Sequence, residues 1–211
     1  MFGILVCGDS ISLGRGEFPN LGWVGRLKEY FESKDLIINL FRSCFNLGIP
    51  GDTSTDLLTR FETEIKARIK YKRSGDKFVI MLAVGMNDSK GVGSSDKLNI
   101  KPESFRNNIK KLIKIAKRYT KQVIVVGLTP VDENLTNPFE ETYFTNGRIK
   151  EYNEILKESA KLDEVLFLNI FDEIILLDYK KLLFDGLHPN KEGYETIYGI
   201  AKTFLIKESI I

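Results

Sequence analysis

Phe2-Gly3-Ile4-Leu5-Val6-Cys7-Gly8-Asp9-Ser10 opens the chain. From Gly3 to Cys7 the residues are apolar at consecutive positions rather than at alternate ones, the pattern of a strand buried on both faces. The run stops at Gly8 and Asp9, residue types that favour turns. A strand covered on both sides needs helices above and below it, so the rest of the chain should alternate strand with helix.

It does. Four further short runs rich in Val, Ile and Phe read as strands: Leu36 to Phe45 with polar breaks, Phe78 to Val84, Val123 to Leu128, and Val165 to Ile170. Between them, apolar residues recur at helical spacing. The clearest set is Phe105, Ile109, Leu112, Ile113 and Ala116, with Lys110, Lys111, Lys114 and Lys117 on the opposite face. Similar stripes run through Trp23, Leu27, Tyr30 and Phe31, through Leu57, Phe61, Ile65 and Ile69, and through Ile149, Tyr152, Ile155 and Leu156. Thr53 followed by Asp56 reads as a helix opening, and Asn190 after Pro189 as the cap of a last helix ending near Leu205. This order predicts an α/β fold class, a mostly parallel sheet with helices on both faces. With no fixed-period repeat and no Pro/Gly linker, residues 1–211 read as one domain. The connections from Ser89 to Ile100 and from Val131 to Asn146 follow strand ends and are candidate walls of a ligand crevice.

Composition narrows the partners. Lys and Arg number 31 against 29 acidic residues, a formal charge of +2 spread along the chain, so no nucleic-acid-tracking surface is expected. Two cysteines, Cys7 and Cys44, are too few for a disulfide scaffold. No basic leader or cleavage site is visible, and the apolar runs fall far short of the roughly 20 residues of a membrane helix. A soluble, cytoplasmic protein without a membrane span is therefore predicted.

Ser10, just past the first strand, stands at the carboxyl edge of the sheet, where a nucleophile must be exposed; the tripeptide alone also reads as a simple turn. His188, the one histidine, follows Asp185 by three residues in Asp185-Gly186-Leu187-His188-Pro189. A serine hydroxyl needs a neighbouring base, imidazole is the side chain suited to that near neutral pH, and a carboxylate one turn away can fix its tautomer. Asn46-Leu47-Gly48 follows the second strand and Gly85-Met86-Asn87-Asp88 the third. The Gly48 N–H and the Asn87 amide therefore reach the same edge and could donate to an oxyanion, although a turn at Gly48 and a cap at Asn87 account equally for each taken singly. Asp9 and Asp88 read as residues that hold their turns. Trp23, Tyr143 and Phe144 either line a pocket or pack the core.

Gly8-Asp9-Ser10, Gly48, Gly85-Met86-Asn87-Asp88 and Asp185-Gly186-Leu187-His188 occur in the order in which the SGNH, or GDSL, hydrolase family carries its blocks, and the chain resembles that family over almost its whole length. Ile11 stands where the leucine of the family name would. The resemblance implies a three-layer, flavodoxin-like fold with a five-stranded parallel sheet, and ester hydrolysis through an acyl-enzyme on a small-molecule substrate. It assigns Ser10, His188 and Asp185 to catalysis, the Ser10 N–H, the Gly48 N–H and the Asn87 side chain to an oxyanion hole, and it calls for no metal and no cofactor. The polar character of the two loops points to short acyl groups such as acetyl, with lysophospholipids and acyl-thioesters as the alternatives. A flavodoxin-like module binding a phosphate ligand is the rival class. Asp9 and Asp52 would face such a phosphate with negative charge, and no Gly-x-Gly-x-x-Gly cradle is present.

Overall fold

A computed structural model of the chain describes residues 1–19, 21–34 and 41–211. Five parallel strands form the central sheet: β1 (Phe2–Gly8), β2 (Arg42–Gly48), β3 (Lys77–Ala83), β5 (Gln122–Val126) and β7 (Leu166–Leu168), in the order β2-β1-β3-β5-β7. Helices α2 (Gly22–Glu32), α3 (Ser54–Arg68), α5 (Pro102–Lys117), α7 (Asn146–Leu162) and α9 (Lys191–Lys207) flank it. One-turn helices α1 (Ser10–Leu13), α4 (Met86–Ser89), α6 (Glu133–Thr136) and α8 (Phe171–Ile175) occupy connections, and β4 (Gly91–Val92) pairs antiparallel with β6 (Thr142–Tyr143).

Chirality ties the strand order to the faces the helices cover. The connection through α2 leads to β2 on one side of β1 and the later ones build outward on the other, and crossovers between parallel strands are right-handed. Helices of the two directions must then lie on opposite faces. Accordingly Phe2, Ile4 and Val6 of β1 pack with Trp23, Leu27 and Phe31 of α2 and Tyr194, Ile197 and Leu205 of α9. Leu5 and Cys7 point the other way, into a core with Leu57, Phe61, Phe105, Ile109, Ile149 and Tyr152 of α3, α5 and α7. Burying each Val, Leu or Ile in this way contributes about 1.5–3 kcal/mol, which is why β1 tolerates no polar side chain along its length.

The caps behave as their chemistry demands. Thr53 and Asp56 form a reciprocal capping box at the start of α3, and the Asn190 side chain accepts the Gly193 N–H at the start of α9, which continues to Lys207. Cys7 and Cys44 are free, and burial pushes both thiols up to about 12. Two features were not visible as periodicity. The second strand begins at Arg42 and runs to Gly48, beyond the expected Phe45, while residues 36–40 of the expected strand lie outside the described residues. The loops expected from Ser89 to Ile100 and from Val131 to Asn146 are joined through the β4/β6 pair. No helix among the described residues is long and apolar enough to cross a membrane.

Candidate active site

The order β2-β1-β3 places the direction change of the sheet between β1 and β3, and in open α/β sheets that is where strand C-termini open a crevice. Gly8 ends β1 in register with Gly48 of β2 on one side and Ala83 of β3 on the other. Ser10, Gly48 and Asn87 therefore leave the sheet at one level.

Asp9 turns the chain out of β1: its Oδ1 accepts the Ile11 N–H (2.9 Å) and caps α1, so Ser10 becomes the first residue of a one-turn helix. Ser10 Oγ lies 3.0 Å from His188 Nε2 across a sequence separation of 178. On the far side of the ring, His188 Nδ1 is 2.8 Å from Asp185 Oδ2. Asp185 Oδ1 meanwhile accepts the main-chain N–H groups of Leu187 (3.0 Å) and His188 (2.7 Å). Burial raises the Asp185 carboxyl, but the His188 ring, the His188 N–H and the Leu187 N–H together outweigh it and leave its pKa at about 2. An ionised carboxylate only accepts, so the imidazole proton sits on Nδ1 and Nε2 presents its lone pair to the Ser10 hydroxyl. The loop carrying the pair is itself tied down: Phe184 N–H donates to His188 O (2.8 Å) and Asp132 N–H to Gly186 O (2.8 Å).

The donors expected at the oxyanion divide. Asn87 sits in α4 just past β3, and its Nδ2 donates to Asp52 O (3.1 Å), leaving one of its two amide hydrogens free. Gly48 is different. Its N–H donates to Asn46 Oδ1 (3.1 Å), and Asn46 Nδ2 in turn holds Ser12 O (2.8 Å). Gly48 is glycine for a reason of space, since a Cβ there would stand 2.6 Å from Asp9 O and from Leu13 N, under the backbone of α1. Three residues on, Gly51 adopts φ +85, a left-handed conformation suited to glycine. It adjoins the Asp52 carbonyl that Asn87 reaches. Among the described residues neither the Gly51 N–H nor the Ser10 N–H makes a hydrogen bond.

Two buried carboxylates brace the surroundings. Asp88 accepts the Ser54 N–H (3.0 and 2.9 Å) and the Ser54 hydroxyl (2.5 Å), fastening the start of α3 to α4, and burial raises it to about 6 against those bonds. Asp9 is pushed up to about 7 by burial first, with the Asp88 and Asp52 charges adding and the Ile11 N–H opposing. Because its folded pKa lies above the ordinary 3.8, the stability Asp9 lends is complete below about 3.8 and is lost as pH rises through about 7. Asp9→Asn keeps the acceptor for Ile11 without the charge. We expect it to match wild type near pH 4 and to be more stable at pH 8, by at most on the order of 4 kcal/mol. Thermal unfolding of both proteins across that range checks this; a constant difference would contradict a buried acid at this position.

A small cavity of about 30 Å³ lies behind the nucleophile turn, walled by Asp9, Ile11, Trp23, Met86, Leu128 and Ile197. Trp23 thus packs the core and faces this space at once, while Phe144 is fully in the core and Tyr143 is half-buried in β6. Phe184 and Leu135 are exposed beside the His188 loop, Leu135 lying against Gly186.

A search of curated proteins finds no match. Among solved structures the chain resembles a lipase/acylhydrolase from Enterococcus faecalis, with 23% identity over 97% of this chain and 95% of that one and a TM-score of 0.70. An acetylxylan esterase from Geobacillus stearothermophilus is 20% identical over 96% and 92% of the two chains with a TM-score of 0.71. The psychrotrophic esterase EstA from Pseudoalteromonas sp. is 18% identical over 97% of each with a TM-score of 0.69. At such identities the likeness is one of fold, the three-layer parallel architecture. The profile of one family, however, matches residues 6–196, taking in the end of β1, the turns after β2 and β3 and the Asp185–His188 loop: the chain belongs to the GDSL-like Lipase/Acylhydrolase family.

Proposed function

We propose that the chain is a single-domain serine ester hydrolase working through an acyl-enzyme, with Ser10 as nucleophile, His188 as base and Asp185 as the group that orients it. The continuous hydrogen-bonded run from Ser10 Oγ to His188 Nε2 (3.0 Å) and from His188 Nδ1 to Asp185 Oδ2 (2.8 Å) carries this reading. Ser10 Oγ attacks the ester carbonyl carbon while its proton passes to Nε2, and the carbonyl electrons move onto oxygen. That oxyanion is received by the Ser10 N–H, the free Asn87 amide hydrogen and the Gly51 N–H. Gly51 replaces the expected Gly48 because the Gly48 N–H is engaged by Asn46. Collapse of the intermediate expels the alcohol, which takes the proton from Nε2, and water then repeats the cycle on the acyl group.

The substrate class we favour is a short-acyl ester such as an O-acetyl group. In support, the two loops beside the site pair with each other and turn Phe144 into the core, leaving them mostly polar, and the acetylxylan esterase above shares the fold. The exposed Phe184 and Leu135 favour the second reading, a longer chain lying across the mouth. Rates on p-nitrophenyl esters of two to twelve acyl carbons, kept below micelle formation, separate the two. An apolar channel would return about 0.8 kcal/mol, roughly fourfold in kcat/KM, for each added CH₂. We expect the maximum at two to four carbons; a steady rise along the series would replace the short-acyl reading with a lysophospholipid or acyl-thioester.

A further inference from the structure

Arg60 lies on α3, and its guanidinium reaches back to the end of β1 and to the turn that follows β2. Its Nε donates to Asp52 Oδ2 (2.8 Å), its Nη2 is 2.7 Å from the same oxygen, and Nη2 also donates to Gly8 O (3.0 Å). Both side chains of this ion pair are largely shielded from solvent, at 16% and 12% exposure. Gly8 is the last residue of β1, two positions before Ser10. Asp52 follows Gly51, and its main-chain carbonyl receives the Asn87 amide (3.1 Å). Gly8 O also accepts the Ile49 N–H (3.1 Å), and Asp52 N–H closes the turn onto Ile49 O (3.2 Å). One planar group therefore connects the strand end that bears the nucleophile with the turn that bears Gly51, and through Asp52 with the helix that bears Asn87.

From this geometry we infer that Arg60 is a positioning residue for the oxyanion pocket. Resting on the reading of Ser10, Gly51 and Asn87 given above, it adds a residue that touches no substrate and sets the spacing of those that do. The chemistry suits guanidinium. Its fork satisfies a carboxylate and a carbonyl together, whereas an ammonium is a single point charge that cannot hold both at these angles. It also neutralises Asp52, whose charge bears on buried Asp9 and would otherwise stand uncompensated near a developing negative charge. Misplacing a transition-state donor by about 1 Å costs roughly 10²-fold, so the effect belongs in kcat.

The test is steady-state kinetics on a soluble acetyl ester for Arg60→Met, Arg60→Lys, Asn87→Ala and the Arg60→Met/Asn87→Ala double variant, each checked for folding by circular dichroism. Arg60→Met should lower kcat roughly 10- to 100-fold with KM within about twofold, and Arg60→Lys should recover part of that loss. In the Asn87→Ala background, itself down roughly 10²- to 10³-fold, the same change should cost clearly less than it does in wild type, because one of the donors it positions is gone while Ser10 and Gly51 remain. Should Arg60→Met not fold, Asp52→Asn, which weakens the same link from its other end, must show the same pattern at smaller size. Wild-type kcat in a folded Arg60→Met protein, a loss in KM alone, or full additivity with Asn87→Ala would overturn the inference. If Asn87→Ala by itself leaves kcat unchanged, the oxyanion reading fails instead, whatever Arg60 does.

Discussion

Ser10→Ala is expected to abolish ester turnover, leaving at most the roughly 10³- to 10⁴-fold advantage over water that binding and an oxyanion pocket supply. The reason is the absence of a substitute. Ser10 is the serine whose hydroxyl stands 3.0 Å from the His188 ring. Ser12, the next on α1, is 1% exposed and points beneath the turn toward the cavity walls. Folding should survive, since the hydroxyl makes one hydrogen bond whose loss is worth about 1 kcal/mol, while Asp9 continues to cap α1 through the Ile11 N–H. A serine-directed fluorophosphonate should label wild type at Ser10 and leave Ser10→Ala unmodified, read by intact mass. A folded Ser10→Ala protein with wild-type turnover would remove the acyl-enzyme mechanism altogether.

Asp185→Asn should be nearly as damaging, by about 10⁴-fold in kcat with little change in KM. The carboxylate accepts at both oxygens, from the Leu187 and His188 main chain at Oδ1 and from the imidazole at Oδ2. In the asparagine variant Oδ1 keeps the two main-chain N–H groups, which forces the NH₂ group toward Nδ1. A donor there selects the tautomer protonated on Nε2, and that nitrogen can no longer take the Ser10 proton. The loop keeps its shape while the base is lost. Fluorophosphonate labelling should slow in parallel with turnover, because both require the same serine to be activated. If Asp185→Asn retained wild-type kcat, the orienting carboxylate would have to be sought elsewhere. The depressed Asp185 pKa of about 2 adds a stability consequence: its contribution holds above the ordinary 3.8 and disappears as pH falls through about 2, opposite in sign to Asp9.

Much of this was legible in the chain itself because it rests on local physics. The unbroken apolar run of β1, the helical stripe of α5, the Thr53–Asp56 box and the Asn190 cap are each decided within a few residues of backbone, where periodicity and capping operate. The Asp185–His188 pair is local in the same sense, three positions apart in a loop whose turn the aspartate itself closes. The end of β2 was not legible. Asn46, Leu47 and Gly48 look like a turn by composition, yet they pair with Val6, Cys7 and Gly8, because a long-range ladder outweighs a weak local preference. That pairing decides where the Gly48 N–H points. It directs the Gly48 N–H away from β1 and onto Asn46, whereas the Gly51 N–H makes no hydrogen bond among the described residues. The meeting of Ser10 with His188, and the reach of Arg60 to Gly8 and Asp52, likewise exist only once the parallel sheet aligns its carboxyl ends. By itself the sequence determined which residue types and elements this protein has; the direction in which each N–H points, and which distant side chain it meets, was decided by the tertiary structure, since hydrogen bonds are set by register and packing between segments that no local period connects.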